Sequence, residues 1–307
     1  MKIFLTGASG YIGGSLAKRL IENGHSVLGL ARSKEKVDQL QRLGIDPVLG
    51  SLDDSNIVTE AARAADAVIN AASSDHRPVV ETVLKALAET GKPFIQTSGS
   101  SIVCDDARGE SENSQVFTDD TPFDPIPQKA ARVAIDRLVR KSGIESGIRA
   151  VVICPTLVFG QGHGLHKDSV QIPRLVEQSR KRGVGLHIGQ GVNIWSNVFI
   201  DDVVDLFVLA LEKAPTGSFF FAENGEQTFK KIAEAISKNL GFGGKTEPWD
   251  INEAMAELGD ELARFGLGSN SRVRALNARR LLGWKPNGPS VLEAVEKNLW
   301  RLSRLLG

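Results

Sequence analysis

Short apolar segments alternate with amphipathic helical segments through the first half of the chain, and this alternation constrains the fold more than any other feature. KIFL (2–5), SVLGLA (26–31), AVINA (67–71) and PFIQTSG (93–99) read as buried strands, and a helical pattern follows each of them. Apolar strands separated by helices predict a parallel sheet that is covered on both faces. Because crossovers between parallel strands are right-handed, we predict an α/β fold with a doubly wound parallel sheet.

A glycine-rich segment, TGASGYIGG (6–14), lies between the first predicted strand and the first predicted helix. Its glycines Gly7, Gly10 and Gly13 permit a tight turn and allow backbone N–H groups to approach a pyrophosphate closely. The positive end of the helix dipole points at the same place, which favours a bound anion. We therefore predict that Thr6 and the three glycines bind the pyrophosphate of a dinucleotide.

The end of the second predicted strand indicates which dinucleotide is bound. The chain there reads Leu30, Ala31, Arg32 and Ser33. A carboxylate at this place would bind the ribose 2′-hydroxyl of NAD and repel the additional phosphate of NADP. No acid is present, and an arginine followed by a serine can hold a 2′-phosphate. The sequence therefore favours NADP(H) over NAD(H), with Arg32 and Ser33 as ligands; the alternative is that Arg32 is a solvated surface charge.

The strand–helix alternation loosens after Pro155, where a segment rich in glycine and histidine begins. We predict a dinucleotide-binding Rossmann domain over residues 1–160, completed by about residues 192–222. The segments 161–191 and 223–307 are predicted to form a smaller, mixed α/β C-terminal lobe that binds the substrate.

Charge balance and cysteine content limit the classes of partner and compartment. Lys+Arg and Asp+Glu number 37 each, so no net positive field exists to hold nucleic acid. Apolar runs such as LFVLAL (206–211) are far shorter than the roughly 20 residues that a membrane span needs. The sequence opens directly on a predicted strand, and Cys104 and Cys154 are expected to be buried, reduced thiols. We expect a cytoplasmic monomer or homodimer that binds a small molecule, and neither nucleic acid nor membranes.

Four segments together resemble the short-chain dehydrogenase/reductase superfamily, and most closely its extended branch, the NAD-dependent epimerase/dehydratase family. They are the glycine segment, NAAS (70–73), TSGSS (97–101) and VFIDDVVDLFVLALEKA (198–214). The resemblance implies a Rossmann domain, a small C-terminal substrate lobe and a cleft between them. Carried over residue by residue, it implies that the dinucleotide contacts Gly7, Ser9, Gly10, Tyr11, Ile12, Gly13, Ser51, Leu52, Ala71, Ala72, Ser98, Arg132, Cys154, Pro155 and Thr156. Ser51, before Leu52, stands where the family usually has an aspartate that contacts adenine.

Members of this family carry a catalytic tyrosine and a catalytic lysine one helical turn apart on the same helix. The chain departs from the family at both places. The lysine lowers the pKa of the tyrosine, which then exchanges a proton with the substrate. Tyr11 is the single tyrosine of the sequence, and it lies in the glycine segment. By helix spacing, the two catalytic places fall at Gln128 and Arg132. The sequence therefore resembles atypical members of the superfamily that lack this pair.

Several residues are candidates for the missing chemistry. Arg132 can reach the nicotinamide ribose but cannot donate a proton, because arginine does not deprotonate in proteins. Gln128, at the place of the tyrosine, is not an acid either, and Ser100 could orient a carbonyl oxygen. Lys129 could donate a proton if desolvation lowers its pKa; the alternative is a solvated helix charge. His166 is the histidine that we assign to the catalytic set, from the loop that is expected to overhang the cleft.

Three further side chains have two open interpretations each. His163 and His76 are either proton donors in the cleft or polar loop residues. Trp195 is either part of an apolar wall of the cleft or ordinary core. No third ligand accompanies the loop histidines, so we predict no metal site.

The sequence predicts an NADPH-dependent reductase of a small organic carbonyl, imine or activated alkene that works without the usual Tyr–Lys pair. Two alternatives stay open. One is a non-catalytic NADP(H)-binding sensor or regulatory protein. The other is a nucleotide-sugar epimerase or dehydratase with altered catalytic residues, which is disfavoured because Ile194–Asn197 offers no arginine to hold a diphosphate.

Overall fold

The computed structural model describes residues 1–299, which contain strands and helices throughout. The strands are β1 (Lys2–Thr6), β2 (Ser26–Ala31), β3 (Asp46–Leu49), β4 (Ala67–Asn70), β5 (Pro93–Thr97), β6 (Phe117–Thr118), β7 (Arg149–Pro155), β8 (Leu157–Phe159), β9 (Gly185–Ile188), β10 (Ile194–Phe199), β11 (Phe219–Ala222), β12 (Glu226–Thr228), β13 (Thr246–Trp249) and β14 (Val273–Arg274).

The α-helices are α1 (Tyr11–Glu22), α2 (Lys34–Arg42), α3 (Ser55–Ala64), α4 (Arg77–Leu87), α5 (Ala130–Glu145), α6 (Gln171–Arg182), α7 (Ile200–Lys213), α8 (Phe229–Asn239), α9 (Ile251–Leu258), α10 (Leu276–Leu282) and α11 (Val291–Glu296). Two 3₁₀ turns, Ser100–Val103 and Pro127–Lys129, and a π-helix, Glu261–Leu267, complete the regular structure of residues 1–299. Within residues 1–299, no helix combines the length and the apolar character needed to cross a membrane.

Seven strands form one sheet in the order β11-β7-β5-β4-β1-β2-β3. Every neighbouring pair in this sheet is parallel. Apart from the edge strand β3, its strands are largely buried because helices cover both faces, which is why they read as continuous apolar runs. The predicted doubly wound α/β fold is confirmed.

A second, smaller core lies beside the one around the large sheet. It is built on the small sheets β12-β10-β8 and β13-β9 and contains Leu186, Ile232 and Trp249. Parallel pairing joins β9 to β13 in register from Gly185↔Thr246 onward.

The chain passes between the two cores more often than the predicted boundaries allow. Strand β10 lies in the three-stranded sheet, although residues 192–222 were expected to complete the Rossmann domain, whereas β11 does join the large sheet. In the opposite direction, Val273 and Trp284 belong to the large core. An apolar strand pattern does not say which sheet a strand joins, so the division into domains remains a prediction.

The helix expected to carry Gln128, Lys129 and Arg132 on one turn begins later than its pattern suggests. Pro127 opens a 3₁₀ turn, Ile126 before it is extended (φ −60°, ψ 154°), and α5 starts at Ala130. A proline disfavours helical geometry in the residue before it and fits the first turn. Gln128 and Lys129 therefore lie on a turn that enters the helix, and Arg132 lies within it.

Candidate active site

The glycine segment lies where the strand order of the large sheet reverses, between β1 and β4. Gly7 has φ +80°, and a Cβ added to it would lie 2.5 Å from the carbonyl oxygen of Ala71. A Cβ on Gly13 would overlap the carbonyl oxygen of Gly7. The loop after β1 is therefore packed against the start of α1 and the end of β4. In doubly wound sheets this reversal point is where a ligand crevice forms, outside the carboxyl ends of the strands.

The start of α1 is free of competing groups. Its N-cap is Gly10, which offers no side-chain cap, and no acidic residue lies in the first turn. The first N–H groups of a helix have no partner within the helix. Together with the helix dipole they form a site that suits a phosphate group.

A cavity of about 730 Å³ opens beside this helix start. Its lining includes ten of the predicted site residues: Gly7, Ser9, Gly10, Arg32, Ser33, Ser51, Leu52, Ala71, Ala72 and His166. Leu30, Ala31, Lys36, Asp53, Ser73 and His76 complete it. Lys36 was not predicted to belong to this site. It lies three residues after Ser33, a spacing that brings two residues to the same side of a helix start and could have indicated it.

Arg32 is an exposed cation at one end of this cavity. It follows directly on β2, and within residues 1–299 no ion pair or hydrogen bond holds its guanidinium. The hydroxyl of Ser33 accepts the backbone N–H of Lys36 and so caps α2. Asp53 is the carboxylate in this lining, and it contacts the ring of His76 at 3.0 Å. The end of the cavity therefore offers an unpaired arginine and the amino end of a helix.

Tyr11, the single tyrosine, is committed elsewhere. Its hydroxyl donates to the carbonyl oxygen of Gly160 at 2.8 Å and holds that loop on α1. Burial raises the pKa of Tyr11 well above its usual value, and Asp201 and Asp168 add to the rise. Its side chain is therefore a structural tie rather than an acid.

The other predicted cofactor residues lie outside the lining of the cavity. Ile12 and Gly13 belong to the first turn of α1. The hydroxyl of Thr6 donates to Asn70, which fastens β1 to β4. Pro155 ends β7, and the hydroxyl of Thr156 donates to the carbonyl oxygen of Ala222 at 2.9 Å.

At the carboxyl end of β5, Ser98 meets a buried carboxyl group. Its hydroxyl donates to Oδ2 of Asp136 at 2.6 Å. Burial raises the pKa of Asp136 to about 7, against the lowering effects of Ser98 and Arg132. Burial also raises the pKa of the neighbouring Cys154 thiol well above its usual value. Asp136 was not predicted as a site residue. Its partner Ser98 is 38 residues away, so no local sequence pattern indicates that the two meet.

Arg132 is held by groups that follow two neighbouring strands. Its Nε and one terminal nitrogen donate to the two carboxylate oxygens of Asp75 at 2.8 and 2.6 Å. Its other terminal nitrogen donates to the hydroxyl of Ser101 at 2.9 Å. The hydrogen bond from Arg132 lowers the pKa of Asp75 below its usual value. Ser100 is buried against the hydroxyl of Ser271, and Gln128 is exposed.

Lys129 is only 2% exposed. Its ammonium forms an ion pair with Glu261 and lies 4.7 Å from the centre of the Phe265 ring. The interpretation of Lys129 as a solvated helix charge is therefore wrong. Sequence spacing could not show this, because Glu261 is 132 residues further along the chain.

The histidines and Trp195 also find defined places. His163 contacts Asp201 at 2.6 Å at the surface, and His76 caps α4 with its ring nitrogen. His166 lines the cavity beside the start of α1, together with residues of the glycine segment. Trp195 is buried in the smaller core, where its indole N–H donates to the carbonyl oxygen of Ser269 at 2.8 Å, so it is core rather than cleft wall. Among residues 1–299, no group of three potential ligands could hold a metal ion.

The sequence matches the model of the NAD dependent epimerase/dehydratase family over residues 3–220. The chain belongs to this family. Oxidase ucsJ from Acremonium sp is 33% identical to it over 346 residues, which cover 100% of this chain and 99% of that relative. The 4-hydroxy-2-methyl-3-oxo-4-farnesyl-3,4-dihydroquinoline-1-oxide ketoreductase of Stigmatella aurantiaca is 27% identical over 300 residues, with 92% and 87% coverage.

A solved structure extends the comparison to the fold. The dTDP-glucose 4,6-dehydratase of Bacillus anthracis str. Ames, in complex with NAD, has a TM-score of 0.77 at 16% identity. The similarity covers 98% of this chain and 96% of that one, and at this identity it concerns the fold alone.

Membership of the epimerase/dehydratase family confirms the resemblance drawn from the sequence. The relatives named above are an oxidase and a ketoreductase, so the prediction of an NAD(P)-dependent enzyme is confirmed as well. The preference for NADP(H) over NAD(H) remains a prediction, as do the individual site residues.

Proposed function

We propose that the protein is an NADPH-dependent reductase of a small organic carbonyl, imine or activated alkene, acting without the Tyr–Lys pair. One observation carries the choice of NADPH. Arg32 follows β2, has no counter-ion among residues 1–299, and lines the cavity that also contains the glycine segment. A 2′-phosphate supplies the missing counter-ion, whereas the 2′-hydroxyl of NAD does not.

The residues present fit this cofactor. The uncapped start of α1 would offer its N–H groups to a pyrophosphate. The close packing at Gly7 leaves no room for a side chain there. Ala71 and Ala72 leave the middle of the cavity open, and Arg32 and Ser33 would hold the 2′-phosphate, with Lys36 beside them. When bound, NADPH supplies a hydride to an electrophilic carbon of the substrate.

The chain's own cations near the carboxyl end of β5 would attract a negatively charged group of the substrate. Lys129 is a buried ammonium next to the place of the family's tyrosine, and charges act strongly where water is excluded. Arg132 would hold a ribose or remain a fixed charge, since it cannot give up a proton. We assign the final protonation to water, because Tyr11, His76 and His163 are held by other groups.

The test is turnover with a panel of substrates. Purified protein is incubated with NADPH and a series of aldehydes, ketones, cyclic imines and enones, and product formation is followed together with loss of NADPH. The use of NADPH deuterated at the nicotinamide C4 position then shows whether hydride reaches the product. We expect label transfer to at least one compound class.

Two outcomes would contradict the proposal. Interconversion of a nucleotide sugar without net consumption of NADPH would favour the epimerase or dehydratase alternative. Tight NADPH binding with no turnover across the panel would favour a sensor. NADH run in parallel separates the question of the reaction from the question of cofactor choice.

A further inference from the structure

Lys129 is a buried cation whose counter-ion is exposed. The lysine is 2% exposed, whereas the side chain of Glu261 is 65% exposed. On its other side the ammonium lies over the ring of Phe265, which is itself buried. A buried ammonium requires an anion, because burial of an unpaired charge is very costly. An exposed carboxylate has no equivalent need, since water serves it equally well.

Lys129 lies near the end of the crevice where the proposed reaction would take place. Lys129 immediately precedes α5, whose first turn carries Arg132, and Arg132 binds Ser101 just beyond the carboxyl end of β5. Glu261 and Phe265 come from the π-helix in the C-terminal part of the chain. The ammonium therefore lies between the carboxyl edge of the large sheet and the smaller core, covered on the solvent side by Glu261. π-Helical turns are rare and are often found at functional sites.

The other charged groups nearby are already committed. Asp75 binds Arg132 through both carboxylate oxygens. Arg264, on the π-helix, binds Asp106 at 2.6 Å and thereby fastens that helix to the loop after β5. Among the described residues, Glu261 is thus the carboxylate that pairs with Lys129, and its own side chain faces solvent.

We propose that Lys129 is the binding site for a carboxylate of the substrate, and that Glu261 occupies this site when no substrate is bound. The inference rests on the proposed reductase function and narrows its substrate class to small carbonyl or alkene acids. A substrate carboxylate replaces the carboxylate of Glu261 on the ammonium, and Glu261 returns to water. The ring of Phe265 then packs against the apolar part of the substrate.

The test measures binding rather than turnover, so it does not depend on the reaction. Benzoate and benzamide are titrated by calorimetry into the protein saturated with NADP+; the two share a ring and differ in charge. We expect benzoate to bind at least about tenfold more tightly, as a hydrogen bond to a charged group implies. Glu261→Gln removes the competing charge and keeps the shape, so it should tighten benzoate binding and leave benzamide unchanged.

The double variant Lys129→Met/Glu261→Gln removes both charges and keeps the volume, a change that buried ion pairs often tolerate. It should abolish the preference for benzoate while retaining the affinity for NADP+ and the melting temperature. If the double variant does not fold, the benzoate and benzamide titrations of the single variant Glu261→Gln still test the proposal. Equal binding of benzoate and benzamide, or weaker benzoate binding in Glu261→Gln, would mean that the ion pair only joins two parts of the fold. Failure of NADP+ itself to bind would instead reject the reductase proposal, independently of benzoate.

Discussion

Replacement of Asp136 by asparagine should make the stability of the protein less dependent on pH. Asp136 is 4% exposed, one carboxylate oxygen accepts from Ser98, and the other has no partner in the described residues. Asparagine has the shape of the neutral acid and can still accept from Ser98. It therefore reproduces the protonated form of Asp136 and removes only the cost of ionisation.

The magnitude follows from the pKa of this group in the two states. Burial raises the pKa of Asp136 from 3.8 to about 7 in the folded protein. At about 1.4 kcal/mol for each pKa unit, this interval corresponds to about 4 kcal/mol. The folded state binds more protons between these values, so stability falls as the pH rises from about 4 to about 7 and is level above that. Arg132 and Arg140 oppose the rise, whereas Asp75 adds to it, and all three remain in the variant.

Urea unfolding of wild type and Asp136→Asn at about pH 5 and about pH 8 measures this effect. Between these two pH values, the wild type should lose about 2–3 kcal/mol more unfolding free energy than the variant. Other buried carboxyl groups, including Asp119 and Asp202, contribute equally to both proteins and cancel in the difference. Asp38→Asn, at an exposed position, serves as the matched control and should follow the wild type. Parallel pH curves for the wild type and Asp136→Asn would show that Asp136 does not carry a raised pKa in the folded protein.

Three other substitutions test the packing of the site and the charges around it. Gly13→Ala should destabilise the protein by about 1–3 kcal/mol in urea unfolding and weaken dinucleotide binding, because its Cβ would overlap a backbone carbonyl oxygen; wild-type stability and binding would contradict the close packing. Tyr11→Phe should cost about 1–3 kcal/mol in the same assay, since the carbonyl oxygen of Gly160 loses its donor; abolished turnover in a stably folded variant would instead give Tyr11 a catalytic role. Glu226→Gln should cost about 1 kcal/mol at neutral pH, a value reduced for partial exposure. Two arginines lower the pKa of Glu226 from 4.5 to about 2, so this difference should vanish as the pH falls through that range; a difference that persisted in acid would show a packing effect.

The sequence predicted what depends on local pattern and missed what depends on distant partners. The parallel sheet follows from apolar runs, and the glycine segment follows from the spacing of Gly7, Gly10 and Gly13 between the first strand and the first helix. The burial of Lys129 depends on Glu261 and Phe265, which reach it only through the fold of the C-terminal part. Trp195 shows the same limit, since an indole suits a cleft wall as well as a core.

Two candidate residues lie elsewhere than predicted because the local structure around them differs from the sequence pattern. The periodicity of the Arg132 helix extends to Gln128, but the proline at 127 replaces its first turn by a 3₁₀ turn. His166 was expected at the catalytic end of the cleft because of its place in the loop. The structure places it with the glycine segment, because the hydroxyl of Tyr11 draws that loop onto α1.

The most direct test of the central claim is a thermal-shift comparison of NADPH, NADP+, NADH and NAD+ on wild type and Arg32→Ala. Binding to the folded state raises stability by mass action, so the order of affinities appears as the order of melting temperatures. Arg42→Ala, on the same stretch of chain but outside the cavity lining, is the control for the loss of an arginine. We expect a larger shift with the two NADP forms, a preference that Arg32→Ala loses and Arg42→Ala keeps. Equal shifts with all four dinucleotides, or an unchanged preference in Arg32→Ala, would contradict the binding of a 2′-phosphate by Arg32.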